Sequence, residues 1–460
     1  MLKILIKFSI FYLCGTLLYP CTTILVGKGL TKDGSIIHAH NEDMGNLTVG
    51  RLWRVNNFSS KDDSTWVPYV SIPNTDKKLA YWASGNTKQI SKDELNQTML
   101  PYDNILVGMN ESGLTMSCNW MYSKEESLDR VGIRRYAIRQ LILERAATAR
   151  EAVDLISSFI DSYGQADWSG LTYVLADPNE GWIVETTSHN WVAKKLKDNE
   201  IIVVANRYTI GEEFDLSSKN LIQNAIDNGW YNHKEDPFNF KLAYGDSEFM
   251  NEDYDYDREV RVDILLKDKF GEIKPEDLMT VLRDRFHNSD GYTPPTSFEP
   301  DRITCRAKGA KRPICTNLCQ SSFVAHLRPE LPTEFGSVFW YTMATPAYGP
   351  YFPLYPFGSK IIASFTLDDP DEKNTSAWWI YRHLQQKVDI SNAEIIKSIR
   401  NQTESVTSTF ISEQELWENK VQKQIDNRNL KRANQLLNLF SNRSARKSLH
   451  QSKIILKRIN

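Results

Sequence analysis

Cys21 stands directly behind an apolar run from Leu2 to Leu18 that Lys3 and Lys7 flank and interrupt. A charged start followed by a short apolar core reads as a signal peptide rather than a membrane anchor, since no stop-transfer flank follows it. A cut before Cys21 would leave that residue with a free α-amine beside its thiol. The amine titrates near ~8 and the thiol near ~8.5, so the amine can accept the thiol proton around neutral pH. One residue then supplies both nucleophile and base. Pro20 suits an ordinary signal peptidase badly, whereas Gly15 and Thr16 offer a better first site. A short stretch ending at Pro20 would remain, and its self-removal is one way to expose Cys21. Leu18-Tyr19-Pro20 lacks the small residues expected before a lipid-modified Cys.

Other residues have chemistry to weigh against blander roles. His38 and His40 with Asp43 could bind a metal, but alternating strand positions beside a hairpin more often give a satisfied surface His. Asp43 could cap a turn, and Asn206 could satisfy loop backbone. Arg261 could sit in a surface ion pair among the acids upstream of it. Cys118 follows a strand and reads as core rather than as a second nucleophile. Cys315-x-x-x-Cys319 lacks the second pair a structural zinc site needs, so neither metal nor cofactor is expected. Cys305 and Cys315 flank a polar Arg/Lys loop and could form a disulfide, or all four remaining Cys could be buried thiols. Sequons at Asn46, Asn57, Asn96, Asn110, Asn374, Asn401 and Asn442 carry glycans only in a eukaryotic secretory route.

The elements that must position these groups read as paired strands and helices. Lys32-Asp33-Gly34 joins a run after Cys21 to Ser35-Ile36-Ile37-His38-Ala39 as a hairpin. Similar pairs occur at Ile105 to Val107 with Leu114 to Ser117, and at Leu171 to Ala176 with Trp182 to Glu185. Further strands are expected at Trp191 to Leu196, Ile201 to Ala205, Ser322 to Leu327, Gly336 to Ala344 and Ile361 to Phe365. Helices are expected over 134–146 and, behind a Thr148-x-x-Glu151 capping box, up to Gly164. The acidic stretch 249–259 reads as a surface loop, and Pro346 to Gly358 as a Pro/Tyr/Gly-rich loop. From Tyr381 the chain reads as polar helix, and residues 421–460 hold ten Lys or Arg against Asp426 alone. That tail could meet an anionic surface, though a solvated or partly disordered segment is the blander expectation. The net charge of −3 gives no reason to expect a nucleic-acid partner.

Several separate motifs carry a family resemblance. They are Cys21-Thr-Thr-Ile-Leu-Val-Gly-Lys, Asp33-Gly34-Ser35, His40-Asn41-Glu42-Asp43, Gly108-Met-Asn-Glu-Ser-Gly-Leu114, Leu143-Glu-Arg-Ala with Ala149-Arg-Glu-Ala152, Ala176-Asp-Pro, Trp182-Ile-Val-Glu185-Thr, Ala205-Asn206-Arg-Tyr-Thr-Ile-Gly211, and Arg328 to Trp340. Together they resemble the cysteine dipeptidases related to secernins, within the N-terminal nucleophile (Ntn) hydrolases. The resemblance covers residues 21 to 365 and implies an α+β fold, a four-layer αββα sandwich of two antiparallel sheets, here with a helical C-terminal extension. It implies Cys21 as nucleophile, Asp43 as the acid that orients its amine, and Asn206 as an oxyanion donor. Asn119 matches a second donor after a one-residue shift. Arg261 lies near a late family Arg, with Arg258 competing for the role. Many relatives carry Arg where His40 stands, and His40 and Asn41 fall where substrate would be met.

The resulting expectation is a signal and propeptide over 1–20, a catalytic domain over 21–380 and a basic helical extension over 381–460. The chain is expected to be exported, secreted or periplasmic, and to cleave dipeptides or small peptides without a metal or cofactor. No membrane segment is expected after signal removal. Family relatives are often oligomeric, so a homo-oligomer is an open expectation. An acylase of a non-peptide amide is the alternative within enzymes. A ligand-binding surface protein using the aromatic loop from Tyr348 to Phe357 is the alternative outside them.

Overall fold

The computed structural model describes residues 21–44, 49–59, 64–67, 70–86, 89–92, 99–102, 104–126, 131–167, 169–232, 237–247, 253–286, 313–367 and 375–459. The signal and propeptide reading, Cys305, and the sequons at Asn46, Asn96 and Asn374 lie outside them.

Thr22–Val26 and Ile36–Asp43 form the expected hairpin, closed over Gly34, whose φ of 72° suits a residue without Cβ. Ile201–Val204 flanks this pair on one side. On the other, Cys319–Leu327, Ser337–Met343 and Phe352–Leu354 complete a six-stranded antiparallel sheet. The last strand lies inside the stretch read as a loop, and its Pro353 is tolerated because the strand is an edge. The run Ile361 to Phe365, read as a strand, instead ends in a short 3-10 turn over Ala363–Phe365.

A second antiparallel sheet has eight strands, with Gly170–Ala176 near its centre between Thr115–Met121 and Gly181–Thr186. Helices Arg135–Arg145 and Ala149–Tyr163 cover its outer face through Ile138, Leu141, Val153 and Ile156. The second helix begins as its capping sequence requires. Thr148 Oγ1 accepts from Glu151 N at 3.1 Å, and the Glu151 carboxylate accepts from Ala147 N at 2.7 Å. Gly164, with φ of 70°, ends it. Helix Pro275–Leu282 and the C-terminal helices cover the six-stranded sheet, so the layers run helix, sheet, sheet, helix.

From Asp253 onward the acidic stretch is helix rather than loop. Asp253–Leu266 turns Arg258 fully inward, and Arg207 meets its Glu259 on the outer side. The polar tail is three helices, Ala377–Asp389, Ala393–Asp426 and Leu430–Ile459. Residue 380 therefore falls inside a helix, and Leu437, Phe440 and Ala445 belong to the same apolar cluster as Phe339 and Phe352 of the sheet. Phe440 stacks on Trp417 at 5.4 Å between ring centroids. Replacing Phe440 with Ala is expected to cost about 3 kcal/mol in a denaturant titration, as for other large core truncations. A cost near zero would mean the tail only rests on the sheet. These helices also bury Tyr348, Tyr351 and Tyr355, which removes the aromatic loop as a ligand surface. Asn110, also fully buried, gives its amide to Leu143 O and Ala146 O and is no glycan acceptor. Among the described residues no helix is long and apolar enough to cross a membrane.

Candidate active site

Thr22–Val26 is hydrogen-bonded on both sides, so everything placed on its neighbours is carried past Cys21. The register pairs Thr23 with Val204, and its continuation sets Asn206 across from Cys21. Asn206 takes a left-handed φ of 65°, which Asn tolerates better than most residues. Its Nδ2 donates to Trp120 O at 2.9 Å. The second neighbour, Ile36–Asp43, is buried at all eight positions. Period-2 alternation turns His38, His40 and Glu42 toward the second sheet, and Asn41 toward the outer layer.

The layer between the sheets is polar beneath Cys21. Asn119 Nδ2 donates to Cys21 O at 3.0 Å and to Val204 O at 3.1 Å, tying the two sheets together. Its Oδ1 accepts from Thr23 Oγ1 at 2.6 Å, and Thr23 Oγ1 also lies 2.7 Å from His40 Nδ1. His40 Nε2 lies 3.0 Å from Glu42 Oε2. His38 is held by Thr115 and Ser117 hydroxyls, both at 2.9 Å. Both histidines were expected at a surface; the eight-stranded sheet buries them instead.

From the outer side, Arg258 closes the arrangement. Its Nη1 donates to Cys21 O at 2.7 Å and Thr22 Oγ1 at 2.9 Å, and its Nη2 donates to Ala205 O at 2.7 Å and Asn206 Oδ1 at 2.9 Å. Arg261 points elsewhere: it pairs with Asp284 at 2.8 and 2.9 Å, one helical turn from the site. Of the two arginines only Arg258 reaches Cys21, because only it lies on the inward stripe of its helix. Asn41 likewise does not reach the cleft, because its amide donates to Leu282 O at 2.9 Å and Ile314 O at 3.0 Å in the outer layer.

The thiol of Cys21 donates to Asp43 O at 3.7 Å. Burial pushes it well above the ordinary thiol range, Glu42 and Asp43 push the same way, and Arg139 pulls it back. The thiol is thus neutral here at neutral pH and needs a base to become a nucleophile. Burial lowers His40, so the fixed cation expected in its place comes from Arg139. Strands Ile105–Asn110 and Thr115–Met121 pair only at Thr115 with Met109 and Met116 with Gly108. Beyond that point Ile105 O and Cys118 O accept from Arg139 at 3.2 and 3.3 Å, and the guanidinium reaches the Cys21 cleft from the outer helix layer. Glu42, Cys118, Trp120, Arg135 and Tyr136 line the same cleft.

Two sequence motifs meet beside the site. The Glu185 carboxylate accepts from Thr209 N at 2.6 Å and Ile210 N at 3.1 Å, fixing the loop that follows Asn206. Burial pushes Glu185 up to about 7 from an ordinary value near 4.5. Its folded pKa exceeds its unfolded one, so its contribution to stability is complete below about 4.5 and is lost as pH rises through about 7. Glu185→Gln is expected to remove that decline, seen as a flatter denaturant midpoint between these pH values. An unchanged slope would assign the decline to another group.

A model of the family described as Peptidase family C69 matches residues 20–405, most of the chain. The chain belongs to peptidase family C69. It is 23% identical to a Streptococcus pyogenes serotype M1 protein named probable dipeptidase B, covering 86% of this chain and 84% of that one. A Latilactobacillus sakei protein named probable dipeptidase is also 23% identical, over 82% of this chain and 79% of that one. Among solved structures, a mutant conjugated bile acid hydrolase from Clostridium perfringens is 14% identical with a TM-score of 0.37, covering 70% of this chain and 89% of that one. As a family C69 member the chain is a cysteine peptidase. Cys21, Cys118, Cys315 and Cys319 are all free thiols among the described residues, and of these Cys21 and Cys118 line the cleft.

Asp43, Asn119 and Asn206 lie around Cys21, with Arg258 rather than Arg261 on its carbonyl. Asn119 gives its amide hydrogens to Cys21 O and Val204 O instead of offering them to an oxyanion, and His40 is buried behind the cleft instead of facing substrate. Glu42 and Arg139 were not singled out. Glu42 was within reach, since it stands two residues from His40 on a strand; Arg139 sits in a helix with no local sign of its destination.

Proposed function

We propose that this peptidase is an exported dipeptidase whose nucleophile is Cys21, freed as the mature N-terminus. What carries the reading is the convergence of Asn119 and Arg258 on the Cys21 carbonyl, which holds this one residue from both sides of the sheet. The family match starting at residue 20, one position before the thiol, supports it, as do the relatives named probable dipeptidases.

The free α-amine of Cys21 takes the thiol proton, and the thiolate attacks the carbonyl carbon of the substrate peptide bond. Asn206 donates to the oxyanion that forms, and Asp43 orients the amine. The protonated amine returns its proton to the leaving amino group as the peptide bond breaks. Water then hydrolyses the thioester, releasing the acyl part as a carboxylate and restoring the thiol. Asn119, whose amide hydrogens are given to Cys21 O and Val204 O, holds the nucleophile's own carbonyl in this state.

The test is intact mass and N-terminal sequencing of the active protein together with dipeptide turnover. Material beginning at Cys21 that cleaves unmodified dipeptides is expected. Active material beginning upstream of Cys21 would end the amine-as-base mechanism, because that amine would be locked in a peptide bond. Turnover confined to N-acyl compounds would replace the dipeptidase reading by an acylase.

A further inference from the structure

We propose that His40 and Glu42 together hold one buried proton that keeps the Cys21 clamp in register, making them positioning residues whose proton the enzyme must retain to work. This rests on Cys21 being the nucleophile.

The hydrogen-bond partners require that proton. Asn119 faces two carbonyl oxygens, Cys21 O and Val204 O, so the group facing them must be its NH₂ and its Oδ1 must face Thr23. The reverse orientation would set three acceptors against one another. Thr23 has a single hydroxyl hydrogen, spent on Asn119 Oδ1 at 2.6 Å. His40 Nδ1, at 2.7 Å from the same oxygen, must therefore be the donor. In a neutral imidazole the other nitrogen, Nε2, is then a bare acceptor, yet it lies 3.0 Å from a Glu42 carboxylate oxygen. Two acceptors at that distance in a dry site repel, so a proton lies between them, on one side or the other. His40 is wholly buried and Glu42 nearly so, meeting only the wall of the cleft, so the pair is largely shielded from solvent.

The consequence reaches the nucleophile along one chain of contacts: Glu42, His40, Thr23, Asn119, Cys21 O. Cys21 Sγ, a His40 ring nitrogen and a Glu42 carboxylate oxygen also lie within 4.8 Å of one another. The charged or titratable groups facing the pair are Cys21 on the first strand, His38 on its own strand, Arg139 and Arg135 from the helix behind the cleft, and Cys118 on the facing sheet. Phe323, on the neighbouring strand, brings only an apolar ring, 5.7 Å away. An Arg in place of His40 would carry its protons permanently; His40 keeps the same donor only with the help of Glu42.

The experiment compares kcat/KM against pH for wild type and Glu42→Gln. A Gln amide supplies its own N–H to His40 Nε2, so no titrating proton is needed. Wild type is expected to lose about tenfold in kcat/KM per pH unit above the pH at which the shared proton leaves. The variant is expected to stay level through that range. A falling limb that persists unchanged in Glu42→Gln overturns the proposal. Nitrogen NMR of the wild-type His40 ring gives a check that does not depend on the variant folding: Nε2 bonded or sharing a proton is expected at neutral pH, and an unbonded lone-pair signal overturns it. Failure of the nucleophile reading looks different, since Cys21→Ala would then remain active whatever the profiles show.

Discussion

Cys21→Ala is expected to lower kcat/KM on dipeptides by about 10⁴-fold or more, while Cys118→Ala keeps activity within a few-fold of wild type. Loss of a covalent nucleophile removes the acyl-enzyme route entirely, and what survives comes from binding and from Asn206 as oxyanion donor. The paired control matters because both thiols line one cleft. They differ in setting. The Cys21 thiol lies against Asp43 O, with its carbonyl held by Asn119 and Arg258, whereas Cys118 belongs to the apolar cluster beneath the outer helices. Steady-state kinetics on both variants decides the matter, and the reverse ranking would move the nucleophile to Cys118. Cys21→Ala should also fold as well as wild type, because a small buried thiol is replaced by a small apolar group.

Arg258→Met is expected to destabilise the protein by about 3–5 kcal/mol and to depress kcat by about 10²-fold or more in whatever remains folded. Arg258 is completely buried, and its guanidinium serves Cys21 O, Thr22 Oγ1, Ala205 O and Asn206 Oδ1 at once. Methionine fills much of the same space but donates nothing, so four acceptors lose a charged partner in a site closed to water. The first strand and the loop carrying Asn206 would then no longer be held to one another at the reacting end. Arg261→Met, by contrast, breaks a mostly buried two-bond pair with Asp284 away from Cys21 and should cost about 1–3 kcal/mol, with kcat unchanged. Denaturant titration and kcat on the two variants separate the arginines. Equal effects would mean that neither is the clamp.

Much of the scaffold was legible because it is written locally. Alternating apolar residues around Lys32-Asp33-Gly34 specify a hairpin, and the Thr148 to Glu151 cap with Gly164 specifies where a helix starts and stops. The acidic stretch misled because five carboxylates in a row of eleven residues look solvated, whereas helical geometry turns Arg258 inward from among them. The tail misled for a related reason. Its apolar residues are sparse in composition but fall on one stripe, and Phe440 and Leu437 meet a sheet made hundreds of residues earlier.

By itself the sequence determined the nucleophile candidate and the hairpin that carries it, because an apolar run ahead of Cys21 and the turn at Lys32-Asp33-Gly34 are both local patterns. Asp43, Asn119 and Asn206 were placed beside it only by the family resemblance. Only the tertiary structure decided which arginine reaches the Cys21 carbonyl, that the Arg139 guanidinium lines the cleft, and that His40 is buried against Glu42 rather than facing water. Those choices depend on which face of an element meets which layer, and on a gap between two strands through which a helix residue can reach. No local pattern records either.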